Sequence, residues 1–294
     1  MLPNRNNKFD LFIAPAQRHA EPWRTGLGMV LIICITIATI VLMGLVFFAF
    51  VQPRPAEIDL TSKIATFLSL CAILLVLPSI WVVLRFIHFR PVATLIAPNC
   101  KIKWKAFMLG AGILAAATML IDLPGFTSGK FQQQLDLAVW MAWLAPTVVV
   151  IFLQTTIEEM VFRGYLLQQF AVLFKSRWIW WFLPSLMFGM LHFDSAVFGQ
   201  NAWLVVVLAT FTGLIFSDIT IRTGNLSAAM GLHFANNLVS VLVLGMPGSL
   251  SALSLFLRDT DIQNIAQTRQ TLLISLGLML GGYLIYLLVM RRRR

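Results

Sequence analysis

The chain is short of charge. Only 12% of its 294 residues are Asp, Glu, Lys or Arg, while 59% are hydrophobic. An ordinary soluble domain carries about 25% charged residues. The imbalance excludes a soluble globular chain and predicts an integral membrane protein. Cysteine is scarce as well. Cys34, Cys71 and Cys100 show no paired spacing, which excludes a disulfide framework or a zinc ribbon and leaves small packing residues. No hydrophilic stretch is long enough to bury a core of its own, so no second, soluble domain is expected. Fixed-period repeats and low-complexity tracts are missing too. The first hydrophobic run is too long for a signal-peptide core and no small-residue cleavage pattern follows it, so it is expected to be a retained helix.

What is present is a series of apolar runs close to the roughly 20 residues that a bilayer-spanning helix needs. Eight are read, at 27–51, 64–84, 106–121, 138–157, 179–193, 202–221, 226–246 and 271–290. Two of them, 106–121 and 179–193, are short, and the second holds Pro184. The expected fold class is all-α, a polytopic membrane protein of about eight transmembrane helices with both termini cytoplasmic. Residues 1–26 read as a polar, loosely ordered cytoplasmic lead-in. Three spans fill 27–137, a helical core fills 138–246, and 247–294 is an external loop, a last span and a basic tail. Residues 52–63 and 122–137 read as external turns. Residues 85–105 form an internal loop in which Pro91 and Pro98 argue against a continuous helix.

The net charge of +10 comes from 22 basic residues against 12 acidic ones. If the spans alternate, Arg5, Lys8, Arg18, Arg24, Arg85, Arg90, Lys101, Lys103, Lys105, Lys175, Arg177, Arg222 and Arg291 to Arg294 lie inside. Arg54, Lys63, Lys130, Arg258 and Arg269 lie outside. This asymmetry follows the positive-inside rule and sets the expected orientation. The final RRRR reads as an anchor beside anionic headgroups, not as a nucleic-acid patch. The expected partners are the lipid bilayer and a protein or peptide at the membrane, with no nucleic acid. The expected location is the plasma (inner) membrane.

A few polar residues fall inside or at the ends of spans: Asp122, Glu158, Glu159, Arg163, His192, Asp218, His233, Asn236 and Asn237. An ionisable residue at membrane depth costs about 2.5–3.5 kcal/mol on insertion scales and marks a functional site by default. Asp122 and Asp218 lie near span ends and need no special role. The others concentrate in three stretches. In "IEEMVFRG" (157–164) Glu159 and Arg163 are four apart and share a helix face, so they form a structural ion pair. Glu158 points about 100° away, with Phe162 at i+4, and must find its partner on another helix. A carboxylate in such a poorly solvated place suits proton transfer near neutral pH.

His192 ends "PSLMFGMLH", with Phe188 four residues before it. His233 opens "HFANN", with Asn237 four residues after it and Asn236 at i+3. A histidine and an asparagine on one face offer two N–H donors to an oxyanion. Glu158 and His192 together offer a base for a water. Each residue has a plainer reading alone: His192 as a core histidine bonded to a backbone carbonyl, Asn237 as glue between helices. Together they point to acyl hydrolysis within the membrane, with Glu159, Arg163 and Phe188 in support.

The same residues carry a resemblance. "EEMVFRG" resembles the EExxxR motif of the CPBP intramembrane proteases, the CAAX protease and bacteriocin-processing family, which includes the type II CAAX prenyl endopeptidases. "FGMLH" is similar to its FxxxH motif and "HFANN" to its HxxxN motif, and "TGNLSAAMGLH" before the last is also family-like. The likeness covers roughly 138–246, in family order. It implies a fold of about eight spans, a catalytic core at 138–246, and an active site of Glu158, His192, His233 and Asn237.

Three alternatives stay open. Glutamate plus two histidines is a donor set that zinc accepts with an open water position, although the spacing is not H-E-x-x-H; the metal-free glutamate mechanism is preferred. A non-catalytic membrane partner or immunity-type protein would use the polar cluster only for packing. A transporter would relay protons through it, but the halves show no inverted repeat. Depth poses a difficulty. Straight spans place His192 about 20 Å from the inner surface and Glu158 near that surface, so either the helix of Glu158 starts later than drawn or the Pro184 segment is recessed.

Overall fold

The computed structural model describes residues 7–51, 62–248, 250–262 and 264–292, with the side chains of 47–51 excepted. In chain order they form α1 (Asn7–Gln17), α2 (Pro22–Val51), α3 (Lys63–Ile87), α4 (Trp104–Thr127), β1 (Phe131–Gln133), α5 (Leu137–Leu173), α6 (Trp178–Met190), α7 (Ser195–Thr223), α8 (Ser227–Val243), β2 (Leu244–Gly245), β3 (Phe256–Arg258) and α9 (Ile265–Arg292). Among the described residues six helices, α2, α3, α4, α5, α7 and α9, are long and apolar enough to cross a membrane. The remaining two expected spans fall on the shorter apolar helices α6 and α8. The all-α polytopic class stands. The expected loop 52–63 lies almost wholly outside the described residues.

Several expectations change. Residues 7–17 are not loosely ordered. Phe9, Phe12, Ile13 and Ala16 recur at helical spacing and are all buried, and α1 packs on α5 and α7. The second helix begins at Pro22, because proline is tolerated in a first turn, so Trp23, Arg24 and Thr25 are helical. The 122–137 turn is shorter than expected: α4 continues through Pro124 to Thr127. Beyond it, β1 pairs with the distant 247–270 segment. β3 runs antiparallel to β1 (Phe131 opposite Arg258) and parallel to β2 (Leu244 opposite Phe256). Arg258 donates to both oxygens of Asp122, at 3.0 and 2.7 Å, which ties this small sheet to the end of α4. Asp218 pairs with Arg222 and accepts from Tyr283 Oη at 2.6 Å. Both acids have structural partners, as their positions at span ends suggested.

The helix carrying Glu158 does not end at 157. It runs on through a π-helical turn at Met160–Leu166 to Leu173. At 1.5 Å per residue the rod is about 55 Å long, and Glu158 lies well inside it. That removes half of the depth difficulty. α6, only 13 residues by its bounds, is about 20 Å long and too short for a hydrocarbon core of about 30 Å.

α4 and α8 approach closely because Gly110 and Gly231 leave room. A Cβ on Gly231 would lie 2.0 Å from the Phe107 carbonyl oxygen, and one on Gly110 would lie 2.6 Å from that of Ala228. Small residues are the usual means of close helix contact in membranes. Gly231→Ala is therefore expected to push α4 from α8 and lower stability by about 1–3 kcal/mol, the usual cost of overpacking. Thermal unfolding of the purified variant in detergent measures this.

At the end of the bundle that holds the 88–103 loop, a buried polar network joins α1, α2, the loop and α5. Gln168 accepts from Arg90 Nη1 at 2.6 Å and donates to the carbonyls of Phe12 and Thr94, each at 3.1 Å. His88 Nε2 lies 3.0 Å from Tyr165 Oη, and Gln169 Nε2 lies 3.3 Å from His88 Nδ1. Burial, then the nearby Arg90, pushes the His88 pKa from 6.5 down to about 4, with Arg24 and His19 adding smaller repulsions and the His19 carbonyl opposing them. Burial also lowers Arg90 to about 10, against a smaller opposing effect of Tyr165, so Arg90 stays cationic at neutral pH. An unfolded chain takes up the His88 proton as pH falls through 6.5, whereas the folded chain resists until about 4. The stability that neutral His88 contributes is therefore present above pH 6.5 and is lost as pH falls through that window. The melting temperature should drop between pH 7 and pH 5, and His88→Gln should reduce the drop.

Candidate active site

α5, α6 and α8 bring most of the intramembrane polar residues together. Glu159 and Arg163 are fully buried, and Arg163 Nη1 donates to Glu159 Oε1 at 2.9 Å, the i,i+4 pair expected from the sequence. The remaining guanidinium nitrogens, Nε and Nη2, have no hydrogen-bond partner among the described residues. Aromatic faces surround them instead. The guanidinium carbon lies 4.4 Å from the Phe188 ring centre, 5.4 Å from Phe216 and 5.8 Å from Phe162. A buried cation gains from such faces most where water is excluded.

His233, on α8, sits against both glutamates. Its Nδ1 is 2.8 Å from Glu159 Oε1, and its Nε2 is 3.5 Å from Glu158 Oε2. A carboxylate accepts, so Nδ1 carries the hydrogen and donates to Glu159. This fixes the ring and aims Nε2 at Glu158. The other oxygen of Glu158 accepts from Gln154 Nε2 at 2.9 Å, one turn earlier on the same helix. Glu158 does find a partner on another helix, and it is His233.

His192 lies two residues beyond α6, in the turn after Met190, and is exposed. Its Nδ1 is 2.8 Å from the Phe188 carbonyl oxygen, the contact its plain reading anticipated. Among the described residues no ion pair joins His192 to Glu158. Phe188 links the two histidines: its ring centre is 4.6 Å from that of His192 and 5.8 Å from that of His233. Asn237 is half-buried, one turn beyond His233 on α8. Its Oδ1 accepts from Asn236 Nδ2 at 3.2 Å, which leaves the Asn237 amide hydrogens for another acceptor.

Among the described residues no group of three His, Cys, Asp or Glu side chains is placed to hold a metal ion. Of the expected donors, Glu158 and the His233 Nε2 face one another at 3.5 Å, while His233 Nδ1 is committed to Glu159.

Two contacts at the site are absent from the sequence reading. Gln154 precedes Glu158 by four residues, so its place on that face is legible; being uncharged, it does not stand out within a span. The Glu159–His233 contact has no local signal. Only the spare lone pairs of a carboxylate already holding Arg163 leave room for it.

Residues 139–239, about a third of the chain, match the family described as "Type II CAAX prenyl endopeptidase Rce1-like". This is the family that the three motifs resemble. The chain is also 28% identical over 239 residues to a protein of Bacillus subtilis (strain 168) described as "Uncharacterized protein YyaK", covering 77% of this chain and 79% of that one. No solved structure matches the chain significantly. The family match supports a CAAX-type intramembrane endopeptidase.

Proposed function

We propose that this chain hydrolyses a peptide bond of a membrane-associated substrate, with Glu158 as general base. The observation that carries the reading is the His233 ring held between Glu158 and Glu159. Glu158 takes a proton from a water, and the water oxygen forms its bond to the carbonyl carbon of the substrate. His192, its Nδ1 held at the Phe188 carbonyl, turns Nε2 to the same water. The carbonyl oxygen becomes the oxyanion, which the Asn237 amide receives together with His233, whose Nε2 must carry a second hydrogen to donate because Nδ1–H is held by Glu159. The C–N bond then breaks, and the proton held by Glu158 passes to the departing amine. Glu159, Arg163 and Phe188 position these groups and touch no reacting atom.

Oxyanion donation by Asn237 has a measurable consequence. Losing one such donor typically costs about 10²–10³ in kcat. Asn237→Ala in the purified chain is expected to lose that much, with KM little changed. A variant that cleaves at the native rate would remove Asn237 from the site.

The reaction is proposed to run without a metal. A chelator should leave activity intact, and adding zinc to chelated protein should not raise it. Zinc-restored activity would replace this mechanism with a metal-assisted one. The placement of the active site toward the cytoplasmic half of a plasma (inner) membrane belongs to the same proposal. It is supported by the distribution of basic residues and by the 15 residues of α5 that follow Glu158 up to Leu173.

A further inference from the structure

An amide buried in a membrane cannot be hydrolysed unless water reaches it. A cavity of about 110 Å³ opens between α4, α8, α9 and the sheet. Thr118, Asn236, Ser240, Arg258, Thr271 and Ser275 supply its polar wall. Ser275 lies ten residues into α9, about 15 Å from the start of that helix. Thr118 lies nine residues before the end of α4. A hydrocarbon core of about 30 Å centred on helices of these lengths encloses both positions, and at that depth exposed polar groups occur chiefly along water-filled or protein-filled spaces.

The hydroxyls have spent their hydrogens. Thr118 donates to the Leu114 carbonyl at 2.9 Å, Ser240 to Asn236 at 2.9 Å, Thr271 to Gln267 at 3.1 Å and Ser275 to Thr271 at 3.0 Å. Arg258 is held by Asp122. The four hydroxyls therefore present oxygen lone pairs, beside the remaining N–H groups of Asn236 and of Arg258, whose charge Asp122 already balances. A wall of both acceptors and donors suits water, which accepts and donates. Size narrows the choice: ligand pockets run about 300–1,000 Å³, whereas a water needs only about 10–15 Å³ of such space. The cavity holds several waters and is too small for a peptide segment. At one end Asn236 donates to Asn237 Oδ1, so the space stops one amide away from the proposed oxyanion site.

We propose that this cavity is a water inlet, filled from the face that carries the β-sheet, which supplies the hydrolytic water across Asn236. The inference rests on the protease reading, but its first half is read without a substrate. Cys34, Cys71 and Cys100 are replaced by serine or alanine, and Ser275→Cys is introduced. Leu284→Cys, exposed on the same helix and away from the cavity, serves as the control. A charged, membrane-impermeant thiosulfonate is added to sealed membranes from the sheet side, because only a thiol in water ionises and reacts. Ser275→Cys should label at least tenfold faster than Leu284→Cys. Labelling should then lower proteolysis at least tenfold, and reduction should restore it.

Equal labelling of the two positions would mean that the groove is filled by lipid, and the inlet would be wrong. Complete labelling with full proteolysis would also overturn it, since water would then arrive by another route. Rapid labelling in a chain whose unlabelled form shows no Glu158-dependent cleavage would remove the protease reading instead, leaving a wet cavity with no hydrolysis to feed.

Discussion

Glu158→Gln is expected to lower peptide hydrolysis by about 10²–10⁴, the usual contribution of a positioned general base, while leaving the fold unchanged. Glutamine keeps the size of the side chain and can still accept from Gln154, so the 2.9 Å contact between them survives. What it loses is the ability to take a proton from water. The separation of activity from stability is the informative part. A packing residue replaced by its isostere would alter neither, and a scaffold residue would alter both. Rates on any cleaved peptide, taken with melting temperatures of the same samples, measure the two effects together.

Arg163→Met should do the opposite and act first on stability. Arg163 and Glu159 are both fully buried, and Glu159 also holds His233. Removing the cation leaves a buried carboxylate without its counter-charge, a loss of about 3–5 kcal/mol for pairs of this kind. The variant should melt far below the wild type. If it can be held folded at low temperature, His233 would have lost part of its anchor, and activity should fall as well. A variant that melts normally would show that the aromatic faces of Phe188, Phe216 and Phe162, and not the ion pair, hold this part of α5.

The sequence makes some of this legible and hides the rest for physical reasons. Hydropathy finds every long helix, because length and apolarity are local properties. The Glu159–Arg163 pair is legible because one helix carries both. α1 reads as loose chain although Phe9, Phe12, Ile13 and Ala16 have helical spacing. Its polar surroundings and Pro15 mask a stripe that becomes meaningful only once α5 and α7 are there to bury it. The π-helical turn after Glu159 leaves no mark in the periodicity, and the apolar run stops at Glu158 and Glu159, so the span is drawn shorter than the helix. The β1–β3 pairing joins residues more than a hundred positions apart through three-residue strands, too short to alternate visibly. The three motifs single out Glu158, His192, His233 and Asn237 as candidates, but only packing could say that His233 would touch both glutamates and that His192 would sit beyond the end of α6.

The central claim is that Glu158 and its neighbours cut a peptide bond at the membrane. The most direct measurement compares new peptide termini in membranes that contain the wild-type chain with those in membranes that contain Glu158→Gln at equal abundance. Termini that appear with the wild type and vanish with the variant are the predicted result. Identical sets of termini, with both chains folded and equally abundant, would contradict it.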